Sequence, residues 1–277
     1  MKNWTILEII KWTTDFFKEK QIEKARLNAE YIVAHVLQCK RFDLYVRFED
    51  IVSEIDRAEI RKLIVRRCKN EPLQYVLGET EFYGYRFFVN SAVLIPRPET
   101  EYLVEKIIKE NPSLESVLDI GTGSGAIAVS LKKELPNCNV TASDISEKAL
   151  EIAKKNAAEN QVTIEFIQSD LFENIEDKYS VIVSNPPYIP LREYKDIDSE
   201  VKDFEPQSAL LAEADGLHYY QKILEQAKEY LHENGIVYFE IGHDQAERIK
   251  KIAENNGFFD VETLKDLNEF DRMMRIK

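Results

Sequence analysis

Asn185-Pro186-Pro187-Tyr188 follows directly on a strand-forming run, Ser180 to Ser184. Two adjacent prolines can neither extend a ladder nor donate a backbone hydrogen bond. Asn185, because it precedes a proline, is held extended. What remains is a stiff acceptor surface made of the side-chain oxygen of Asn185 and the loop carbonyls, with the ring of Tyr188 alongside. Such a surface suits a planar NH2 group, whose two protons need two acceptors. The lone pair of an amide or aromatic amine is delocalised, so its nitrogen is a poor nucleophile. Rigid acceptors on both protons present that lone pair in line to an electrophile, and positioning supplies much of the rate. No general base is required before attack, since the proton can leave once the nitrogen is positive.

A second constellation lies upstream, in Asp119-Ile120-Gly121-Thr122-Gly123-Ser124-Gly125-Ala126. Glycine lets the chain turn sharply from strand to helix and lets a ligand approach the main chain. The next strand ends at Asp144, roughly 20 residues on, where a carboxylate that binds a ribose hydroxyl pair is expected. Together these predict a nucleoside-containing cofactor at the carboxyl ends of the first two strands. Gly121, Gly123 and Ala126 also fit the dinucleotide pattern G-x-G-x-x-A, so these residues leave the cofactor's identity open.

The elements that must position these residues follow from hydrophobic periodicity. From Thr5 to about Asn70 the pattern is helical throughout, as in Ile6, Ile9, Ile10 and Phe17, or Ile60, Leu63, Ile64 and Cys68. Aromatic-rich runs around Gly84 predict a hairpin, and Pro96 and Pro98 an extended entry into a helix that opens at Glu99. After Ser116, apolar runs at 117–120, 140–142, 164–167, 181–183 and 236–241 alternate with amphipathic helices, which predicts a mostly parallel sheet covered on both faces. The runs 258–264 and 273–276 have only a short polar link and should pair antiparallel.

The formal charge of −13 gives no basic footprint for nucleic acid. The one dense basic run, Arg61 to Lys69, lies on a helix with an apolar alternate face and reads as a solvated face. Three distant cysteines and four scattered histidines argue against a disulfide framework and against a metal site. The amino-terminal stretch is too short and too charged for a signal peptide or membrane span, so a cytoplasmic protein is expected.

Several of these segments together resemble the HemK/PrmC family, the S-adenosylmethionine-dependent release factor glutamine methyltransferases. They are Glu71-Pro72-Leu73-Gln74-Tyr75, Ile95-Pro96-Arg97-Pro98-Glu99-Thr100-Glu101, the two central motifs, and Phe204-Glu205-Pro206 running on to Asp215-Gly216-Leu217. The resemblance implies an α/β fold: a seven-stranded, mostly parallel Rossmann-like methyltransferase sheet with an antiparallel last strand. A small all-α bundle and a β-hairpin connector would precede it. The corresponding boundaries are 1–72 for a helical substrate-docking domain, 73–95 for the connector and 96–277 for the methyltransferase domain.

The implied reaction is methyl transfer from S-adenosylmethionine to the side-chain amide of the glutamine in the Gly-Gly-Gln tip of class I release factors. Carried over by position, Asp119 and Gly121, Thr122, Gly123, Ser124 and Gly125 serve the methionine part of the cofactor. Asp144 holds its ribose, Asp170 and Leu171 lie beside the adenine, and Asn185 borders the site. Asn185 and the Pro186 carbonyl accept from the substrate amide, with Pro187, Tyr188, Arg97 and Glu99 on the substrate side. The implied partner is the release factor itself, with no direct nucleic acid, no membrane and a monomeric state. The tail Asp266 to Arg272 departs from the family in lacking a glycine between its aspartates, and position 171 is leucine where an aromatic can stand.

The nearest rival is a methyltransferase for the exocyclic amine of adenine or guanine, which uses the same loop chemistry; the acidic balance opposes it. A non-catalytic adaptor would carry a damaged loop, and here Asn185, both prolines and the glycines are present.

Overall fold

Thr5 accepts the backbone N–H of Glu8 while the Glu8 carboxylate takes that of Thr5, and this reciprocal cap starts α1 (Ile6–Glu19). Ile6, Ile9, Ile10 and Phe17 form one buried stripe on it, against α2 (Ala25–Val36). The helical run continues through α3 (Asp43–Val46), α4 (Glu54–Arg67) and α5 (Leu73–Leu77). Ser53 caps α4, and Gly78, at φ 77°, ends α5.

The computed structural model describes residues 3–212 and 215–277, and its contacts divide it into two units. The first comprises Met1–Gly78 together with Ser199–Phe204, where α9 is found; the second comprises Glu79–Asp198 and Glu205–Lys277.

Within the first unit the basic run of α4 departs from the expected solvated face. Arg67 is only 4 % exposed and donates to Asn28 Oδ1 at 2.7 Å, to the Glu71 carbonyl at 3.0 Å and to the Glu200 carboxylate of α9. A buried guanidinium is tolerated when it is paired and hydrogen-bonded, and these contacts engage all three of its nitrogens, one of them with a carboxylate. Arg66 forks onto Glu71 and reaches the carbonyls of Tyr75 and Val76.

The second unit opens with the hairpin β1 (Glu79–Phe82) and β2 (Tyr85–Phe88), closed by Tyr83 and Gly84 at φ 52° and 75°, the two-residue turn that matches strand twist. There follow α6 (Pro98–Glu110), β3 (Ser116–Ile120), α7 (Ala126–Glu134), β4 (Asn139–Asp144), α8 (Glu147–Glu159), β5 (Glu165–Gln168) and β6 (Tyr179–Ser184). The two-residue strands β7 (Ile189–Pro190) and β8 (Leu211–Ala212) pair with each other. The unit ends with α10 (His218–Tyr230), β9 (Leu231–Glu240), α11 (Ala246–Asn255), β10 (Val261–Lys265) and β11 (Asp271–Ile276).

The sheet has seven strands in the order β10-β11-β9-β6-β3-β4-β5, and β11 is antiparallel to both its neighbours. The expected α/β architecture is therefore present. Alternate residues of the strands enter two cores: Leu118, Ile182, Val237 and Phe239 pack with α10 and α11, and Val117, Val181, Val183 and Tyr238 with α6 and α7. Burial on both faces explains why these strands read as unbroken apolar runs. β9 starts at Leu231, before its apolar run, because Tyr179 pairs with Leu231 and Val181 with Ile236, so the polar residues between bulge out. Among the described residues, no helix is long and apolar enough to cross a membrane.

The link from β10 to β11 shows how the tail does without its glycine. Asp266 Oδ1 accepts the backbone N–H groups of Asn268 and Phe270, at 2.8 and 3.1 Å, and Glu269 takes the left-handed conformation at φ 64°. That conformation costs a residue with a Cβ about 1 kcal/mol or more. Glu269→Gly is therefore expected to raise stability by up to about 1 kcal/mol, after the entropy glycine loses is subtracted. Chemical denaturation would read this, and a lowered midpoint would contradict it.

Candidate active site

β4 lies on one side of β3 and β6 on the other, so the chain reverses its winding at β3 and leaves a crevice at the carboxyl ends of these strands. Gly121, Thr122 and Gly123 line it, between β3 and α7. The N–H groups of Gly121 and Thr122 both donate to the Ser143 carbonyl at 2.9 Å, tying the loop to β4. Gly121, Gly123 and Gly125 sit at φ 71°, 56° and 80°. Their roles differ. A Cβ on Gly121 or Gly123 would meet no protein atom within 4 Å, whereas one on Gly125 would lie 3.1 Å from the Ala153 Cβ, so Gly125 lets α7 pack on α8. Asn156 of α8 braces the loop from beneath, donating to the carbonyls of Ser124 and Phe88 at 2.8 and 3.0 Å.

Asp144 closes β4 at the crevice. Its two oxygens accept the N–H groups of Gly123 and Ser146, each at 2.9 Å. Burial nevertheless raises its carboxyl above the ordinary range, against the pull of those N–H groups. Asp119 is 1 % exposed and lies behind the loop, accepting the Thr122 hydroxyl at 2.6 Å; burial pushes its carboxyl up to about 7.

Asn185, Pro186 and Pro187, after the neighbouring strand β6, line the same crevice. The loop is held on both sides. Ser184, just before it, donates to the Ile120 carbonyl at 2.7 Å, and Ile189, just after it, donates to the Leu210 carbonyl at 3.0 Å. Gln245 donates to the Tyr188 carbonyl at 3.0 Å and to that of Gly216 at 3.2 Å. Gly216 is at φ 80°, and a Cβ there would stand 2.6 Å from the Tyr188 oxygen, so only glycine permits this approach.

The crevice thus gathers Gly121, Thr122, Gly123, Ser124, Asp144, Asp170, Leu171, Asn185, Pro186, Pro187 and Arg97 from the residues expected at the site. Asp119, Gly125, Tyr188 and Glu99 are not on its walls. The first two support the glycine loop from behind. Tyr188 packs its ring against the core beneath α10, and burial pushes its phenol up to about 12. Four supporting residues were given no role at the site by the sequence, although Thr100 and Glu205 stand within motifs quoted above. Glu205, buried, accepts the Arg97 guanidinium at 2.6 Å and the Ile95 N–H at 3.2 Å, and so pins the segment before α6. Gln245, Thr100 and Glu240 are the others. Glu240 left a signal of another kind, as a charge inside an apolar strand run.

The comparisons with known proteins agree with this geometry. Residues 98–202 match the Methyltransferase small domain, and residues 8–78 match the PrmC N-terminal domain. A methyltransferase from Pyrococcus furiosus shares the fold with a TM-score of 0.52 at 21% identity, over 70% of this chain and 89% of that one. The ribosomal protein L11 methylase of Lactobacillus delbrueckii subsp. bulgaricus does so with a TM-score of 0.50 at 23% identity, over 65% and 79%. Fold, crevice and matched domain, with the relatives named next, define a methyltransferase that takes its methyl group from S-adenosylmethionine.

The release factor glutamine methyltransferase of Geobacter sulfurreducens is 40% identical over 98% of this chain and 96% of its own length. That of Leptospira interrogans is 41% identical over 98% and 97%. The chain belongs to the release factor glutamine methyltransferase family and is a protein-glutamine N-methyltransferase. These relatives do not favour the nucleic-acid alternative. The crevice suits the cofactor: Gly121 and Gly123 open bare backbone to it, and Asp144 retains lone pairs for a hydroxyl pair.

Proposed function

We propose that this chain methylates the side-chain amide nitrogen of the glutamine in the Gly-Gly-Gln motif of class I peptide chain release factors. The observation that carries the reading is the rigid mounting of Asn185 and the two prolines in the same crevice as the glycine loop. S-adenosylmethionine supplies an electrophilic methyl group when bound. Asn185 Oδ1 and the Pro186 carbonyl accept hydrogen bonds from the two N–H groups of the substrate amide and turn its lone pair toward that methyl. Pro187 stiffens the loop, and Tyr188 anchors it in the core. The methylated nitrogen sheds its proton afterwards, so no base need stand within the wall.

Gly121 to Gly125, backed by Asp119, serve the methionine part of the cofactor, Asp144 its ribose, and Asp170 and Leu171 its adenine. Arg97 and Glu99 serve the substrate side. Residues 1–72 dock the release factor, 73–95 connect, and 96–277 carry the chemistry. The protein acts as a cytoplasmic monomer on a protein substrate, without direct nucleic-acid contact; the charge of −13 supports that last point.

Incubation with methyl-labelled S-adenosylmethionine and a release factor, wild type or with the tip glutamine replaced, tests the reading. Label is expected in the wild-type factor alone. Equal labelling of both factors, or labelling only of nucleic acid, would overturn it.

A further inference from the structure

Glu240 ends β9 at 2 % exposure, where an apolar side chain is the rule. Thr100, in the first turn of α6 and 4 % exposed, donates its hydroxyl proton to Glu240 Oε2 at 2.5 Å. A hydroxyl has one proton to give, so toward Asn185 the Thr100 oxygen is an acceptor, and Asn185 Nδ2 donates to it at 3.4 Å. With its one proton committed to Glu240, the Thr100 oxygen repels a carbonyl oxygen. Of the two orientations open to the Asn185 carboxamide, only the one with Nδ2 turned inward fits, and it leaves Oδ1 for the crevice.

We propose that Glu240, acting through Thr100, is a positioning residue that fixes the Asn185 carboxamide with its oxygen toward the substrate, and that it works as the carboxylate. The inference rests on the function proposed above. A protonated Glu240 donates to Thr100, and the Thr100 proton is then released toward Asn185. The amide turns over to accept it and presents NH2 to the substrate's NH2, donor against donor.

Burial is the largest influence on Glu240 and pushes its carboxyl up to about 7; the Thr100 hydroxyl, the Arg272 charge and the Asn185 amide favour the carboxylate, while Glu99 opposes it. Arg272, on β11, is itself paired with Asp266 at 3.4 Å. Two phenols complete the surroundings. Tyr188 feels the Glu240 charge, and Tyr220 of α10 donates to the Glu240 backbone carbonyl at 2.9 Å. Both are raised by burial and stay neutral in the range concerned.

The test is kcat for release factor methylation at saturating substrates, from about pH 5.5 to about pH 8.5, with cofactor affinity by calorimetry. For the wild type, kcat is expected to rise about tenfold per pH unit at low pH, to pass half-maximum near pH 7 and to level off by about pH 8, since the carboxylate is the working form. Glutamine both donates and accepts, so Glu240→Gln no longer dictates how Asn185 turns. Its plateau is expected about 10- to 100-fold lower, with the low-pH limb gone and cofactor affinity within about threefold. Thr100→Val should lose the same transfer, and Thr100→Ser should recover most of it along with the limb. A Glu240→Gln enzyme that keeps the wild-type limb or plateau would overturn the proposal, as would Thr100→Val and Thr100→Ser behaving alike. Normal methylation of the release factor with those results refutes the positioning role alone. A wild-type limb that Glu240→Gln abolishes on some other amide substrate, with the release factor inert, refutes the substrate assignment and retains the positioning role.

Discussion

Asn185→Ala is expected to lower kcat about 10²- to 10³-fold, the loss typical when one preorganised hydrogen-bonding group is removed from a reacting centre. Its oxygen is one of two acceptors proposed for the substrate amide. Without it one N–H is unheld, and the lone pair is no longer aimed. The backbone should stay put, because a residue before proline is extended whatever its side chain. Flanking contacts from Ser184 and Gln245 also remain. Affinity for S-adenosylmethionine, measured by calorimetry, should therefore change by no more than about threefold. A fall in affinity that tracks the fall in activity would show that Asn185 holds the cofactor instead of the substrate.

Asp144→Ala should act on the other side of the reaction. Hydrogen bonds to a charged group are worth about 1.5 to 3 kcal/mol each, so loss of the proposed ribose contacts predicts a drop of about 10²- to 10³-fold in cofactor affinity. Part of that loss is indirect, because the Gly123 and Ser146 N–H groups lose their acceptor and the glycine loop loses its tie to β4. Asp144→Asn keeps a neutral acceptor in place and should fall between the two. At saturating cofactor, kcat should recover in both variants to within several-fold. Calorimetry that finds undiminished affinity in Asp144→Ala would remove the carboxylate from the cofactor site.

The glycine loop, Asp144 and the double-proline loop were legible in the sequence because each needs particular residue types at fixed spacing. Gly121 must open its backbone, and Pro186 must withhold a donor. The sheet was legible for a similar reason: strands buried on both faces, such as Val181 to Val183, can hardly be anything but apolar. The contacts of Glu205 and Gln245 were not legible. Each involves one polar residue whose partner, Arg97 or Tyr188, is remote in sequence, and no periodicity marks such a contact. Arg67 shows the same limit: in a run of like charges nothing distinguishes the one guanidinium that finds Asn28 and Glu200. The assignment of glutamine as acceptor came from the ordered set of motifs, since the prolines would serve an adenine amine equally well.

One consequence of the split first unit concerns the order in which the chain is made. Its last piece, Ser199–Phe204, emerges from the ribosome only after residues 79–198 have been synthesised. Until then Arg67 is without the Glu200 carboxylate and Asn70 without the Ser199 hydroxyl that its side-chain amide contacts at 2.8 Å. A buried guanidinium short of its counter-ion is costly, so the amino-terminal helices cannot reach their final stability as they are born. The helical unit is thereby not an excisable module: cut at Gly78, it would carry an unneutralised cation where the intact chain carries an ion pair.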